Sequence, residues 1–201
     1  MKPAYDYTLE DLDDLLNMAC FIQADKAREF AINVLNSRDV PIPWMLYYGQ
    51  CYDIPEWIPN AFWALVHRWT GNLTETNFHI LGCRNLRVLF HVKEEVSNLR
   101  SQISYTAPSI PHDSTCPSNK ECQDTWNASW WGSFARHYLH PERPETPDEA
   151  IFKLSHAGPP KVHVSCHTRA VEWIKEKGIL QREEQIIQHS INMVLQGSWQ
   201  P

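Results

Sequence analysis

Apolar residues recur at every third or fourth position through most of this chain, and this spacing constrains the fold more than any other feature. In the first such segment Leu9, Leu12, Leu16 and Ala19 share one helix face, and Thr8 precedes them as an N-cap. Comparable patterns cover the ranges 24–38, 43–53, 55–69, 74–81, 84–100, 121–139, 148–156, 165–178 and 182–196. Only residues 161–165 suggest a strand, and that segment is short. The sequence therefore predicts an all-α fold.

The helical patterns fall into two groups separated by a segment rich in serine and proline. Residues 101–120 contain three prolines and read as a linker or a long surface loop. We expect a helical region over residues 1–100, the linker over 101–120, and a C-terminal helical lobe over 121–201. The predicted architecture is an irregular array of helices in two lobes.

The charge pattern narrows the classes of partner. The 201 residues include 18 Lys and Arg against 24 Asp and Glu, a net charge of −6, and the basic residues form no stripe. This balance argues against nucleic acid as a partner. No apolar stretch approaches the length of a membrane span, and the N-terminal residues do not resemble a signal peptide. We therefore expect no membrane partner, an intracellular location in cytoplasm or nucleus, and reduced cysteines.

The stretch CPSNKECQDTWNASWWGSFARHYLH, residues 116–140, contains the residue types of a zinc site. Cys116, Cys122, His137 and His140 supply four ligands, and Cys166 is a substitute for one of them. Their spacing departs from that of the usual zinc finger. A small structural zinc-binding domain within residues 112–170 is therefore one interpretation, and zinc is the only cofactor that the sequence suggests.

The same stretch has two further interpretations. Cys122, Trp126, Trp130 and Phe134 follow one another at intervals of four, so Cys122 also reads as the first apolar residue of a buried helix face. A disulfide between Cys116 and Cys122 is the third interpretation, and it requires an oxidising compartment. The spacing leaves all three open.

Catalytic signatures are absent from the sequence pattern. Cys166 paired with His137 or His140 is the one enzymatic option, and no known family signature surrounds it. The sequence contains no glycine-rich phosphate loop. We therefore expect a protein that is not an enzyme.

Aromatic residues concentrate on the two helical patterns between residues 43 and 69. Most should face a core, and those left over would form a groove for a protein partner, since aromatic residues are enriched at interfaces. The candidate partner-binding residues are Trp44, Tyr48, Trp57, Trp63 and Trp69.

These patterns resemble the helical, BACK-like region that follows the BTB/POZ domain in a family of basidiomycete-type fungal BTB proteins. The first half carries the resemblance at Asp53, Pro55, Trp57, Ala61, Leu65, Arg68, Leu73, Thr74, Leu81, Gly82 and residues 92–95. The second half carries it at Cys122, Trp126, Trp130, Trp131, Leu139, His140, Pro141, Cys166 and Trp173.

The resemblance spans residues 9–195 and implies a non-enzymatic helical module for protein interaction or scaffolding. The BTB domain of that family, which dimerises and engages ubiquitin ligases, would precede this region and is absent from the sequence. The resemblance therefore transfers neither activity. Because residues 9–36 would normally pack against that domain, we expect an exposed apolar patch and self-association.

Overall fold

The structure is a computed structural model that describes residues 7–68, 70–156, 158–159 and 161–196. Every regular element in these ranges is helical, which confirms the all-α prediction. The α-helices are α1 (Leu9–Phe21), α2 (Asp25–Asn36), α3 (Ile42–Cys51), α4 (Trp57–His67), α5 (Glu75–Tyr105), α6 (Asn119–Trp130), α7 (Arg136–Tyr138), α8 (Pro147–His156), α9 (Val164–Glu176) and α10 (Gln181–Leu195). None of the helices in the described ranges combines the length and the hydrophobicity that crossing a bilayer requires.

Several helix boundaries lie where the sequence places them. Thr8 caps α1 by a capping box, in which the Asp11 amide donates to Thr8 Oγ1 at 3.0 Å and the Thr8 amide donates to Asp11 Oδ2 at 2.8 Å. Within α5, Gly82 adopts φ 67° and ψ 163° and so divides the helix into the two predicted segments. The strand candidate at 161–165 instead leads into the first turn of α9.

The chain divides into two compact units, residues 1–65 with 73–86 and residues 66–72 with 87–201. The division falls inside α5 and not in the predicted linker at 101–120. Residues up to Tyr105 continue that helix, and the segment that follows is tied to α6. Trp126 Nε1 donates to Pro108 O at 2.9 Å, and the Ile110 amide donates to Gln123 Oε1 at 2.8 Å. This segment is therefore part of the second unit.

The core of the first unit lies between α1, α2 and α3 and contains two of the residues predicted to bind a partner. Tyr48 and Trp57 are buried with Leu12, Leu16 and Leu35. The prediction that Tyr48 and Trp57 line a partner surface is therefore wrong, because the core that α1 and α2 supply covers both rings.

The other aromatic candidates of this region have different surroundings. Trp44 is half-buried against Tyr48, with ring centroids 5.4 Å apart. Trp63 is 41% exposed. Trp69 lies outside the described residues.

The core of the second unit is built around the predicted tryptophan helix. Trp126, Trp130, Phe134 and Tyr138 are buried and stack in order, with successive ring centroids 5.4, 4.3 and 5.1 Å apart. In a regular α-helix each step of four residues turns about 40° past a full circle, so Tyr138 would have drifted away from Trp126. A π-helical turn at Trp131–Ala135 is wider and reduces this drift. It keeps one aromatic face buried along the whole segment.

Candidate metal centre

Three of the five predicted metal ligands come together in the second unit, and His112 joins them as a fourth. The ligand atoms of His112, Cys116, Cys122 and Cys166 all lie within 4.8 Å of one another. Around a tetrahedral zinc ion with Zn–S bonds of about 2.3 Å, two sulphur atoms are roughly 3.8 Å apart. Shifts of about 1 Å or less would therefore bring these four atoms to zinc geometry.

Two helix N-termini supply the two buried cysteines. Cys122 lies in the first turn of α6, where Ser118 acts as N-cap and accepts the Glu121 amide at 3.3 Å. Cys166 lies in the first turn of α9. The positive end of a helix dipole favours a thiolate at such a position.

The loop that carries His112 and Cys116 is held by a turn centred on Asp113. Asp113 Oδ1 accepts the Thr115 amide at 2.9 Å and the Thr115 hydroxyl at 2.6 Å. The Cys116 amide donates to Asp113 O at 3.0 Å. These bonds reverse the chain between positions 112 and 116, which brings the two ligand side chains to the same place.

Helix α9 also fixes this loop from the outside. Arg169 Nη2 lies 2.7 Å from Asp113 Oδ2, and Arg169 Nη1 donates to His112 O at 3.1 Å. Arg169 follows Cys166 by three residues, so both project from the same side of α9. One helix therefore supplies a ligand and also holds the loop that supplies two more.

Backbone amides donate to two of the sulphur atoms. The Asp113 amide lies 3.3 Å from Cys166 Sγ, and the His163 amide donates to the sulphur of Cys122. Hydrogen bonds from outside the first coordination sphere orient ligands and stabilise the charge of a thiolate. The group thus has the supporting shell expected of a metal site.

The electrostatics of the group call for either protons or a cation. The pKa of Cys122 is raised to about 11, mainly by burial and also by the neighbouring Cys166 and Cys116, although the His163 amide lowers it. Thiols this close cannot all ionise in a buried site unless a positive charge lies between them. A metal that displaces the protons would supply that charge.

His112 provides an independent observation that fits a metal. Its Nδ1 atom is buried, and among the described residues that atom has no hydrogen-bond partner. A buried ring nitrogen without a partner is costly. Coordination through the ring, with the resulting shift of nearby groups, would remove that cost.

A path for an ion reaches the group from one side. A cavity of about 210 Å³ is lined by Cys116 and Cys122 together with Lys161 and His163. Cys116 is partly exposed, whereas Cys166 is fully buried. An ion can therefore approach Cys116 from solvent and end against the buried sulphurs.

The structure does not bring the two predicted histidine ligands, His137 and His140, into this group. His137 Nδ1 lies 3.8 Å from Glu145 Oε1. His140 Nδ1 accepts the amides of Glu142 at 3.3 Å and Arg143 at 3.1 Å. Both belong to the end of α7 and the turn after it, four helical turns from Cys122 along the stacked aromatic face, so neither reaches the cysteines.

The sequence held one signal for the missing ligand. His112 precedes Cys116 by four residues, a spacing that a single turn of chain can close, but it lies in the proline-rich segment interpreted as a linker. The disulfide interpretation is wrong for this structure, in which all six cysteines are free.

Comparison of the chain with protein-family models, with curated proteins and with solved structures finds no match. The resemblance to the BTB-associated helical region therefore stays a prediction.

Proposed function

We propose that His112, Cys116, Cys122 and Cys166 bind one structural zinc ion, and that the protein is a zinc-stabilised, non-enzymatic helical scaffold. The observation that carries the proposal is the convergence of four soft or borderline ligand atoms within 4.8 Å. Three cysteines and one histidine form one of the common ligand sets of structural zinc. Soft thiolates also disfavour magnesium, calcium and manganese.

The number of protein ligands favours a structural role over a catalytic one. Catalytic zinc sites keep a coordination position open for water or substrate, whereas structural sites fill all four with protein atoms. The four side chains would fill a tetrahedral set around one ion, and Cys122 and Cys166 are buried. The same burial argues against Cys166 as a nucleophile, because a substrate would have to pass the other ligands to reach it.

The ion would join parts of the second unit that are distant in sequence. His112 and Cys116 lie before α6, Cys122 begins that helix, and Cys166 begins α9. Binding of zinc to a site that does not exist in the unfolded chain adds its free energy to folding, about 10–16 kcal/mol in zinc-finger peptides. We expect the loop at 106–118 and the start of α9 to lose their order when the metal is removed.

The scaffold role extends the resemblance described above. A protein partner and self-association remain proposals, supported by aromatic side chains that stay exposed, among them Trp63 and Trp131. Exposed aromatic residues of this kind are enriched in protein interfaces.

Substitution with Co²⁺ tests the ligand set directly. The cobalt protein should show the visible bands of a tetrahedral ion and a sulphur-to-cobalt charge-transfer band for three thiolates. Cys116→Ser, Cys122→Ser and Cys166→Ser should each weaken that band, and Cys83→Ser, an exposed cysteine, should leave it unchanged. An octahedral spectrum, or a band unaffected by the three variants, would refute the proposal.

A further inference from the structure

A second concavity in the second unit has a lining that mixes basic and apolar side chains. Its volume is about 260 Å³. The basic residues of the lining include Arg68, Lys93, Arg100 and His140, and Val66 and Val96 lie among them. It contains none of the four residues of the metal centre, and neither the scaffold role nor the zinc explains it.

Lys93 is anchored in this pocket by backbone oxygens. Its Nζ donates to Val66 O at 2.5 Å and to Arg68 O at 2.6 Å, which leaves one of the three ammonium N–H groups for another acceptor. Burial, followed by the nearby charge of Arg100, lowers the pKa of Lys93 to about 8. The ammonium form still predominates at neutral pH, and it is held against a like charge.

Arg100 also has N–H groups without an acceptor among the hydrogen bonds described here. It is 5% exposed, and its Nε and Nη2 atoms donate to the Glu183 carboxylate at 2.7 and 2.6 Å. Nη1 donates to Tyr138 O at 3.1 Å. A guanidinium group has five N–H donors, so two remain beyond these three bonds.

Arg68 and His140 are the other two basic residues of the lining. Arg68 is exposed, and its side chain has no hydrogen-bond or ion-pair partner in the part of the chain that the structure describes. His140 Nδ1 accepts two backbone amides, which leaves Nε2 as the ring nitrogen that can donate. The one carboxylate among the lining residues is that of Glu142.

These groups supply many more donors than acceptors, and they come from separate elements: the segment after α4, α5, and the turn after α7. A flat carboxylate is matched by a single two-pronged guanidinium, whereas donors that approach from several directions suit a tetrahedral oxyanion. The apolar residues of the lining, among them Val66 and Val96, suit a short organic group attached to that anion. We propose that this pocket binds a small phosphomonoester, with Arg68, Lys93 and Arg100 around the phosphate.

The test is calorimetric titration of the purified protein, with its metal, using inorganic phosphate, phenyl phosphate and benzoate as probes. Arg68→Gln removes a cation whose side chain makes no bond within the described part of the chain, so the variant should fold. The loss of one charge-assisted hydrogen bond should weaken phosphate binding about tenfold or more. Arg182→Gln, an exposed arginine of α10 outside the pocket, is the matched control and should bind like the unsubstituted protein.

Lys93→Gln provides a second variant that retains donors for the two carbonyl oxygens. It should also weaken phosphate binding, while its urea unfolding curve shows that it is folded. Phenyl phosphate should bind more tightly than inorganic phosphate because its ring can contact the apolar residues of the lining. Three results would overturn the proposal: no saturable phosphate binding, equal weakening by Arg68→Gln and Arg182→Gln, or benzoate binding as tight as that of phenyl phosphate.

Discussion

The buried carboxylate of Glu183 is the centre of a polar network in the second unit, and its removal should be severe. Glu183 is 1% exposed. It accepts hydrogen bonds from Arg100 at 2.6 and 2.7 Å and from the Tyr138 hydroxyl at 2.9 Å, and it lies 3.1 Å from His67 Nε2. All four lone-pair positions of the carboxylate therefore have a partner.

Glu183→Gln keeps the size of the side chain and removes its charge. The guanidinium of Arg100 would then be buried without a counter-charge, and the amide would present an N–H group to donors. Breaking one partner of a buried ion pair costs about 3–5 kcal/mol. With a denaturant dependence of about 1–3 kcal/mol/M, the urea midpoint of the second unit should fall by about 1 M or more.

The same substitution should change the pH dependence of stability. Burial alone would raise the pKa of Glu183, but the hydrogen bonds from His67, Arg100 and Tyr138 and the charge of Arg100 lower it below its ordinary value of 4.5. The ionised carboxylate therefore stabilises the fold above about pH 4.5, and this stabilisation is lost as the pH falls through the folded pKa. Below pH 4.5 the unsubstituted protein should lose stability more steeply than the glutamine variant.

Glu184→Gln is the matched control, since Glu184 is the next residue of α10 and is exposed. It should change stability by less than about 0.5 kcal/mol. If urea unfolding at pH 7 places Glu183→Gln within 1 kcal/mol of the unsubstituted protein, the network does not hold the second unit as described.

Three further substitutions test other contacts. Gly49→Ala should destabilise the first unit by about 1–3 kcal/mol in urea unfolding, because the new Cβ would meet Ile58 Cγ1 at 2.8 Å. Gly82→Ala should lower the free energy of unfolding by about 1–3 kcal/mol in the same measurement, because its backbone conformation is accessible almost only to glycine. The new Cβ would meet no neighbouring atom, so this cost would come from the backbone alone. Arg169→Ala should weaken zinc affinity about 10–100-fold in a chelator competition, because it removes the ion pair with Asp113 that holds the ligand loop.

Gly132→Ala is the control for the two glycine variants, and Arg182→Ala is the control for Arg169→Ala. Gly132→Ala places its Cβ in open space and should be neutral or slightly stabilising, so equal losses at Gly49 and Gly132 would contradict the packing argument. Arg182→Ala should leave zinc affinity unchanged. An unaltered affinity in Arg169→Ala would mean that the loop holds its shape without α9.

Short-range sequence patterns predicted the helices well. They did not predict contacts between residues that are distant in the sequence. Thr8 and Gly82 act through neighbours within a few residues, so their roles could be read from the sequence. The composition of 101–120 suggested a boundary between the units there, whereas the structure divides the chain inside α5, between residues 86 and 87. The serine-rich and proline-rich composition of 101–120 also did not reveal that Ile110 is buried.

The metal centre shows the same limit at the level of single residues. Cys122 had three interpretations, as a core residue, as a zinc ligand and as a disulfide partner. It lies on the buried aromatic face, and its sulphur is within 4.8 Å of the sulphur atoms of Cys116 and Cys166. His137 and His140 were chosen because they end the stretch at 116–140, which does not include His112. The turn at Asp113 that presents His112 depends on Arg169, 56 residues later, and no short-range pattern contains that information.

The most direct test of the central claim is the zinc content of protein purified without chelator, measured by mass spectrometry on a set of single variants. We expect one zinc per chain, retained in His137→Ala, His140→Ala and the exposed-cysteine control Cys20→Ser. The zinc should be lost in Cys122→Ser and Cys166→Ser, and the zinc content should fall in His112→Ala. A folded protein without stoichiometric zinc would contradict the assignment. So would zinc that is lost in His140→Ala but retained in His112→Ala.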